Sequence, residues 1–315
     1  MYVERHSIEF NTSFPFNFEL TVHKPAGWWL STPREVFEDG ILWTAARFHH
    51  ELLGLKLCSK GTFQEQRVRL QVFATGELNN KEKFYVTITL KQALRVDEDI
   101  NHFYTMAQKD KILSDVVKDL YGMRTVAWPE LFPALILAVT LQMAPWKRSN
   151  EMMNQLIHNF GETINFDEKT VSYWPSIEKI AATSVEDLRK AKLGYRARNL
   201  QSIARSLKNG FPTMQQLNKM PPAEAKNKLL RLRGIGDYSA DIVIPGIGFP
   251  LDVWSAKIFH FLLMGEITKS PRDAIPMLKK IAEHRWGKWS GYVFTYILND
   301  LPQISKRIKF DLTRF

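Results

Sequence analysis

The hydrophobic pattern divides the chain into a part with the period of strands and a part with the period of helices. Apolar and polar residues alternate along residues 67–72 and 84–90, as expected for strands with one buried face. The segments 19–23, 41–47 and 51–58 also predict strands. No long helical pattern separates the later strands, so we expect them to pair as an antiparallel sheet.

The period becomes helical from about residue 97. Ile100, Phe103, Tyr104 and Ala107 follow the spacing of one helix face. Later segments predict almost only helices and short turns. The predicted helices cover residues 129–142, 147–160, 176–182, 185–192, 196–208, 213–218, 222–232, 237–244, 253–263, 271–285 and 287–299.

This order of elements indicates an α+β fold. We expect a small antiparallel β-rich domain over residues 1–125 and a larger all-α domain over residues 126–315. The second domain is long enough to bury a sizeable core and to form two lobes.

Composition and cysteine content exclude several classes of protein. The chain has 315 residues and is 45 % apolar, which is a globular composition rather than a disordered one. Cys58 is the single cysteine, so an intramolecular disulfide, a four-cysteine iron–sulfur cluster and cysteine-rich zinc sites are excluded. With no apolar run of ~20 residues and no signal-peptide pattern, we expect a soluble, intracellular protein.

The net charge of +10 is concentrated in one part of the chain. Residues 185–240 contain twelve Lys or Arg and four acidic residues, which gives +8. A charge run of this kind is either a solvated helical face or a surface that binds phosphates. The segment therefore raises the possibility of a nucleic-acid partner without deciding it.

The segment from Lys226 to Phe259 carries the most chemical information. A helix pattern ends at Gly234-Ile235-Gly236, and a second short helix follows. A Gly-x-Gly turn lets two helices approach closely and exposes backbone N–H groups that can hold a phosphate. Taken alone, this turn is also typical of a helix C-cap, and Asp252 is typical of a helix N-cap.

The two motifs together resemble the helix–hairpin–helix DNA glycosylase superfamily. The stretch L-R-G-I-G-D-Y-S-A followed by F-P-L-D-V-W is similar to its hairpin and catalytic aspartate. The resemblance implies a hairpin over about residues 222–244 that binds DNA through Gly234, Ile235 and Gly236. It also implies two helical lobes, a cleft that receives the flipped nucleotide, and Asp252 as the catalytic residue. No cofactor is required, and the family hairpin can hold Na⁺ or K⁺ on its backbone carbonyls.

Other segments extend the resemblance over most of the chain. Residues 193–198 are similar to the 8-oxoguanine glycosylase stretch in which Tyr195 would wedge into the duplex and Arg196 would pair with the orphaned base. Gln142 resembles the residue that fills the gap left by the flipped nucleotide. Residues 24–29 and 282–292 instead resemble the 3-methyladenine glycosylase II branch. An ordinary helix start is the alternative for Tyr195 and Arg196, and an ordinary helix end is the alternative for Gln142.

Aromatic residues are the candidates for stacking on the flipped base. Tyr238 occupies the position at which bifunctional members of the superfamily carry a lysine nucleophile, so we expect no lyase activity. Trp28, Trp254 and Tyr296 are further candidates for the base pocket, together with Trp29 and Tyr292. Core packing is the alternative for each of them.

We therefore expect a monomeric, monofunctional DNA glycosylase that acts on damaged double-stranded DNA. Electron-rich aromatic residues suit cationic alkylated purines such as 3-methyladenine and 7-methylguanine. An 8-oxoguanine glycosylase is the alternative enzyme, and a non-catalytic helix–hairpin–helix DNA-binding module is the alternative from a different class.

Overall fold

The N-terminal part of the computed structural model is a five-stranded sheet. The structure describes residues 1–27, 29–48, 51–62, 64–126, 130–244 and 248–315. The strand order is β1-β5-β4-β3-β2, and every neighbouring pair is antiparallel. The strands are β1 (Val3–Asn11), β2 (Val36–Glu38), β3 (Ile41–Phe48), β4 (Glu51–Lys60) and β5 (Arg67–Ala74).

Both faces of this sheet are covered. Leu55 and Val72 are paired across β4 and β5 and lie in a core shared with helices α1 (Phe18–Val22) and α2 (Asn80–Leu94). Trp43 faces the opposite side and joins the core of the helical part. Since side chains alternate along a strand, β3, β4 and β5 serve both cores.

Two predicted strands are wrong, because they are helices. Residues 84–90 lie within α2, where Asn79 and Glu82 form a capping box at the N-terminus. Val86 and Leu90 are buried at helical spacing, whereas Phe84 is 70 % exposed. The capping box at Asn79 favours a helix despite the alternation of apolar and polar residues. Residues 19–23 likewise belong largely to α1, which is capped by Asn17.

The first lobe of the helical part is built around α5, whose eleven residues are all buried. Its other helices pack around this apolar rod in a single core. The sequence analysis missed the hairpin formed by β6 (Glu162–Phe166) and β7 (Lys169–Tyr173), which joins this lobe to the sheet. Phe166 lies where a Cβ on Gly54 of β4 would be, at 2.6 Å, so only glycine permits this contact. The helices are α5 (Leu131–Leu141), α6 (Trp146–Phe160), α7 (Ile177–Ala182), α8 (Val185–Lys190), α9 (Arg196–Lys208), α10 (Met214–Asn218), α11 (Pro222–Leu229) and α12 (Asp237–Val243).

The second lobe combines helices from both sides of the first lobe in the sequence. Phe103 and Val116, from two helices that precede residue 125, share a core with Phe259 and Val293. The domain boundary at residue 125 stays a prediction, although the chain before it already contributes to this lobe. The helices are α3 (Asn101–Lys109), α4 (Leu113–Asp119), α13 (Val253–Met264), α14 (Pro271–Trp286), α15 (Ser290–Asn299) and α16 (Leu301–Ile308). Within the described ranges, no helix is long and apolar enough to cross a membrane.

A buried carboxylate organises the loop that links the sheet to the two lobes. Glu35 accepts hydrogen bonds from the backbone N–H of Leu30 (3.1 Å) and Ser31 (2.6 Å) and from the Thr44 hydroxyl (2.9 Å). Burial raises the pKa of Glu35 to about 7, although these hydrogen bonds oppose the shift. Burial also lowers the pKa of Lys24, at the start of the loop, to about 7. The loop is thus fixed by groups whose charges are costly to bury.

We predict that Glu35 makes the protein less stable as the pH rises. Its pKa is higher in the folded than in the unfolded chain, so its contribution is complete below about pH 4.5 and is lost as the pH rises through about 7. Between pH 5 and 7, wild type should lose roughly 1–3 kcal/mol of unfolding free energy relative to Glu35→Gln. Chemical denaturation at several pH values measures this. The exposed Glu65→Gln is the control, and parallel pH profiles for wild type and Glu35→Gln would contradict the prediction.

Candidate active site

The predicted hairpin is present and consists of α11, a tight turn and α12. Ile235 is buried in the core of the first lobe. Gly234 has a φ of +78°, and a Cβ there would lie 2.2 Å from Nδ2 of Asn199. Gly236 is the N-cap of α12, and among the described residues no side chain caps this helix. The turn therefore needs glycine at Gly234 and leaves the first N–H groups of α12 without a side-chain acceptor.

The segment after α5 is tied directly to the hairpin. Gln142 Nε2 donates to the carbonyl of Gly234 at 2.7 Å and to the hydroxyl of Ser239 at 2.8 Å. The guanidinium of Arg196 donates to the carbonyls of Val139, at 3.2 Å, and Gln142. The structure thus brings Gln142 and the hairpin together at the surface, with Arg196 buried beneath Gln142.

The sequence analysis missed Met143 on this surface. Its side chain is 72 % exposed, and its φ is +48°, which is uncommon for a residue other than glycine. Tyr195, which was predicted as a wedge, is 57 % exposed and lies 4.6 Å from the guanidinium of Arg196. The signal in the sequence was its position next to Gln142, the predicted gap-filling residue.

The basic segment, residues 185–240, is largely exposed to solvent. Nine of its twelve Lys and Arg side chains are exposed. Arg198, Arg231 and Arg233 form no ion pair with any residue that the structure describes. Unpaired, exposed arginines beside free backbone N–H groups are suited to a polyanion.

Asp252 is the N-cap of α13, as expected, and its carboxylate is only partly committed to that role. Its Oδ1 accepts from the backbone N–H of Ser255 at 2.7 Å and from the Ser255 hydroxyl at 2.6 Å. No hydrogen bond from the described residues reaches Oδ2. The side chain is half-buried. One oxygen thus orients the carboxylate, and the other is available to a bound molecule.

Tyr238 lies beside Asp252. Burial raises the pKa of the Tyr238 hydroxyl far above its usual value, and the charge of the nearby Asp252 carboxylate raises it further. The phenol is therefore neutral and cannot replace an amine nucleophile. Trp254, on the first turn of α13, is 38 % exposed.

A cavity of about 120 Å³ lies where the sheet domain and the two lobes meet. Trp29, which stacks on Trp146 with ring centroids 5.1 Å apart, contributes one wall. Tyr292 contributes another, and Asp241 and Pro250 lie where the chain crosses between the lobes. Asp252 itself does not line the cavity but follows Pro250 by two residues.

The structure places the aromatic candidates for the base pocket in different environments. Trp29 and Tyr292 line the cavity, whereas Tyr238 and Trp254 do not. Tyr296 is fully buried, and its hydroxyl donates to the Met123 carbonyl at 2.7 Å, so its place in the base pocket is corrected to a place in the core. Trp28 lies outside the described residues.

The hairpin, the exposed basic segment, the interlobe cavity and the oriented carboxylate are the features that the resemblance to the helix–hairpin–helix DNA glycosylases predicts. Residues 136–283 match the model of the HhH-GPD superfamily of base excision DNA repair proteins. A DNA-3-methyladenine glycosylase from Bacillus subtilis (strain 168) is 27 % identical over 210 residues, which cover 64 % of this chain and 67 % of the relative.

Solved structures share the complete architecture. A 3-methyladenine DNA glycosylase from Archaeoglobus fulgidus has a TM-score of 0.76 at 18 % identity, over 96 % of this chain and 99 % of that one. An 8-oxoguanine glycosylase/lyase from Clostridium acetobutylicum, in complex with double-stranded DNA, has a TM-score of 0.70 at 15 % identity. The alignment covers 96 % of this chain and 98 % of that one. These likenesses confirm the α+β fold with its β-rich N-terminal part.

We predict that Gly234→Ala will destabilise the hairpin because a Cβ would overlap Asn199. The expected loss is roughly 1–3 kcal/mol of unfolding free energy, measured by chemical denaturation. Gly194→Ala is a matched control, since Gly194 also has a positive φ but no heavy atom would lie within 4 Å of its Cβ. Adding Asn199→Ala should recover part of the loss. Equal losses at Gly234 and Gly194, with no recovery, would contradict the overlap.

Proposed function

We propose that the protein excises alkylated purines, such as 3-methyladenine and 7-methylguanine, from double-stranded DNA and leaves the sugar–phosphate backbone intact. The observation that carries this proposal is the carboxylate of Asp252, held by Ser255 with one oxygen free, close to the hairpin that would hold the DNA. The name of the Bacillus subtilis relative supports the alkylated substrate.

The proposed chemistry rests on charge. Cleavage of an N-glycosidic bond develops positive charge on the deoxyribose, and a fixed carboxylate stabilises that charge in the transition state. Oδ2 of Asp252 would face the sugar, or would orient the attacking water. The N–H groups at the start of α13 favour the negative charge of this carboxylate. The reaction needs no cofactor, and a Na⁺ or K⁺ on the hairpin carbonyls stays a prediction.

The absence of strand cleavage follows from the residue beside Asp252. A lyase step requires an amine that attacks the sugar, and the position is taken by the neutral phenol of Tyr238. Lys257 lies further along α13 and does not match the lysine position of the superfamily.

The alternative substrate is 8-oxoguanine, which the residues 193–198 favour. In that function Arg196 would read the base opposite the lesion. Here its guanidinium is largely buried and donates to the carbonyls of Val139 and Gln142. Two of its five N–H groups and most of its surface are thus committed to the protein, which makes alkylated purines the better proposal. In either case we propose that Tyr195, Gln142 and Met143 face the duplex and that the protein acts as a monomer.

We predict that Asp252→Asn will strongly slow base release and preserve DNA binding. Asparagine is as good an N-cap as aspartate, so the fold should be retained, while the loss of charge should lower the single-turnover rate about 10²–10³-fold. Base release from methylated duplex DNA and affinity for an undamaged duplex measure the two effects. Asp311→Asn, at the N-cap of the C-terminal 3₁₀ turn, is the control. Retention of base release by Asp252→Asn would refute the assignment.

We also predict that Tyr238→Lys will introduce strand cleavage. The wild type should produce breaks only after hot alkali, because an abasic site remains after base release. An amine at residue 238 could attack the sugar, so the variant should nick DNA without alkali and form a covalent adduct upon borohydride reduction. Breaks made by the wild type without alkali would show that another amine acts as the nucleophile.

A further inference from the structure

Four charged side chains form a chain of ion pairs that runs from the hairpin to the second lobe. Lys226 of α11 lies 2.9 Å from Asp237 and 2.8 Å from Asp241, both on α12. The other oxygen of Asp241 lies 2.8 Å from Nζ of Lys279 on α14. Asp237 is mostly exposed at the DNA-facing turn, whereas the side chain of Asp241 has no exposed area.

The Asp241–Lys279 pair joins the two lobes. The residues that flank Asp241 along α12, Ala240 and Val243, belong to the core of the first lobe. Leu278, the neighbour of Lys279, belongs to the core of the second lobe. Because a buried carboxylate requires compensation, separation of the two lobes here would leave Asp241 with Lys226 alone.

The same carboxylate packs on the chain that connects the lobes. A Cβ on Gly248 would lie 2.6 Å from Oδ1 of Asp241, so the backbone passes directly against the carboxylate. Four residues later this backbone reaches Asp252. Asp241 and Gly248 also line the interlobe cavity. The position of Asp241 therefore affects the shape of the cavity. It also affects the position of residues 248–252, which include the proposed catalytic residue.

We propose that Lys279 is a positioning residue. It fixes Asp241 and thereby holds residues 248–252, which include Asp252, in a fixed position relative to the hairpin. This inference rests on the proposed function for its effect on catalysis. Lys279 itself need not touch the DNA. The hairpin belongs to the first lobe, so loss of Lys279 should leave the DNA-binding surface in place while the second lobe shifts. A displacement of about 1 Å at the reacting groups is enough to lower a rate about 10²-fold.

Lys279→Met tests the proposal, and Lys280→Met is a matched control. Lys280 is the next residue of α14, is exposed and forms no ion pair with the described residues. Lys279→Met should lower the single-turnover rate of base release about 10–100-fold and change duplex affinity less than about threefold. Lys279→Arg, which keeps the charge, should restore most of the rate. In the Asp241→Asn background, Lys279→Met should have little additional effect.

Three results would overturn the proposal. Equal losses of affinity and rate would make Lys279 a DNA contact instead. Equal effects of Lys279→Met and Lys280→Met would show a general effect of charge. Failure of Lys279→Arg to restore the rate would exclude positioning by charge.

Hydrogen exchange provides a readout that needs no substrate. Lys279→Met should increase exchange in residues 248–252 and in α14, whereas Lys280→Met should not. Unchanged exchange would overturn the proposal even if the rate falls. If the wild type releases no base, the proposed function fails, and the exchange measurement still decides the role of Lys279.

Discussion

The short stretch of chain between Gly236 and Asp252 is the constraint on which the site depends. One end lies in the hairpin turn, and the other caps α13. Much of the stretch is α12, a rigid rod about 10 Å long whose inner face is buried in the first lobe. In the proposed function, a phosphate held at the hairpin would lie at a distance from the carboxylate that depends on α12. DNA binding by one lobe would then align a group that the other lobe carries.

The charged side chains differ between the DNA-binding surface that we propose and the interior of the protein. Exposed arginines around the hairpin remain unpaired within the described structure, which suits a polyanion that releases its counterions upon binding. Two carboxylates, those of Asp241 and Glu35, are held by groups from other segments of the chain. Asp241 receives lysines from both lobes, and Glu35 receives backbone N–H groups from the loop next to Trp29. The two lobes cannot separate at Asp241 without removing one partner of a buried charge, so this ion pair helps to hold one wall of the cavity in place.

The sequence predicted the parts of this structure that depend on local signals. Gly234, with its positive φ, and Asp252, with Ser255 three residues later, are backbone requirements that leave a clear mark in the sequence. The spacing of apolar residues alone was a less reliable guide to secondary structure. Residues 84–90 alternate like a strand, and the capping box at Asn79 decided in favour of a helix.

The remaining features depend on tertiary contacts. The β6–β7 hairpin is stabilised by packing against the sheet, and the burial of Tyr296 follows from neighbours almost two hundred residues away. The partnership of Asp241 and Lys279 bridges 38 residues and two lobes, so no spacing rule could reveal it. The sequence predicted a group of aromatic candidates for the base pocket. Only the fold shows that, of these, Trp29 and Tyr292 line the cavity.

The most direct measurement concerns the charge that Asp252 is proposed to stabilise. It compares the affinity of the wild type for two duplexes, one with a cationic pyrrolidine in place of the damaged nucleotide and one with a neutral tetrahydrofuran. An anionic group fixed beside the sugar should favour the cationic duplex by about tenfold or more, and the preference should disappear in Asp252→Asn. Equal affinities of the wild type for both duplexes would contradict electrostatic stabilisation by this carboxylate.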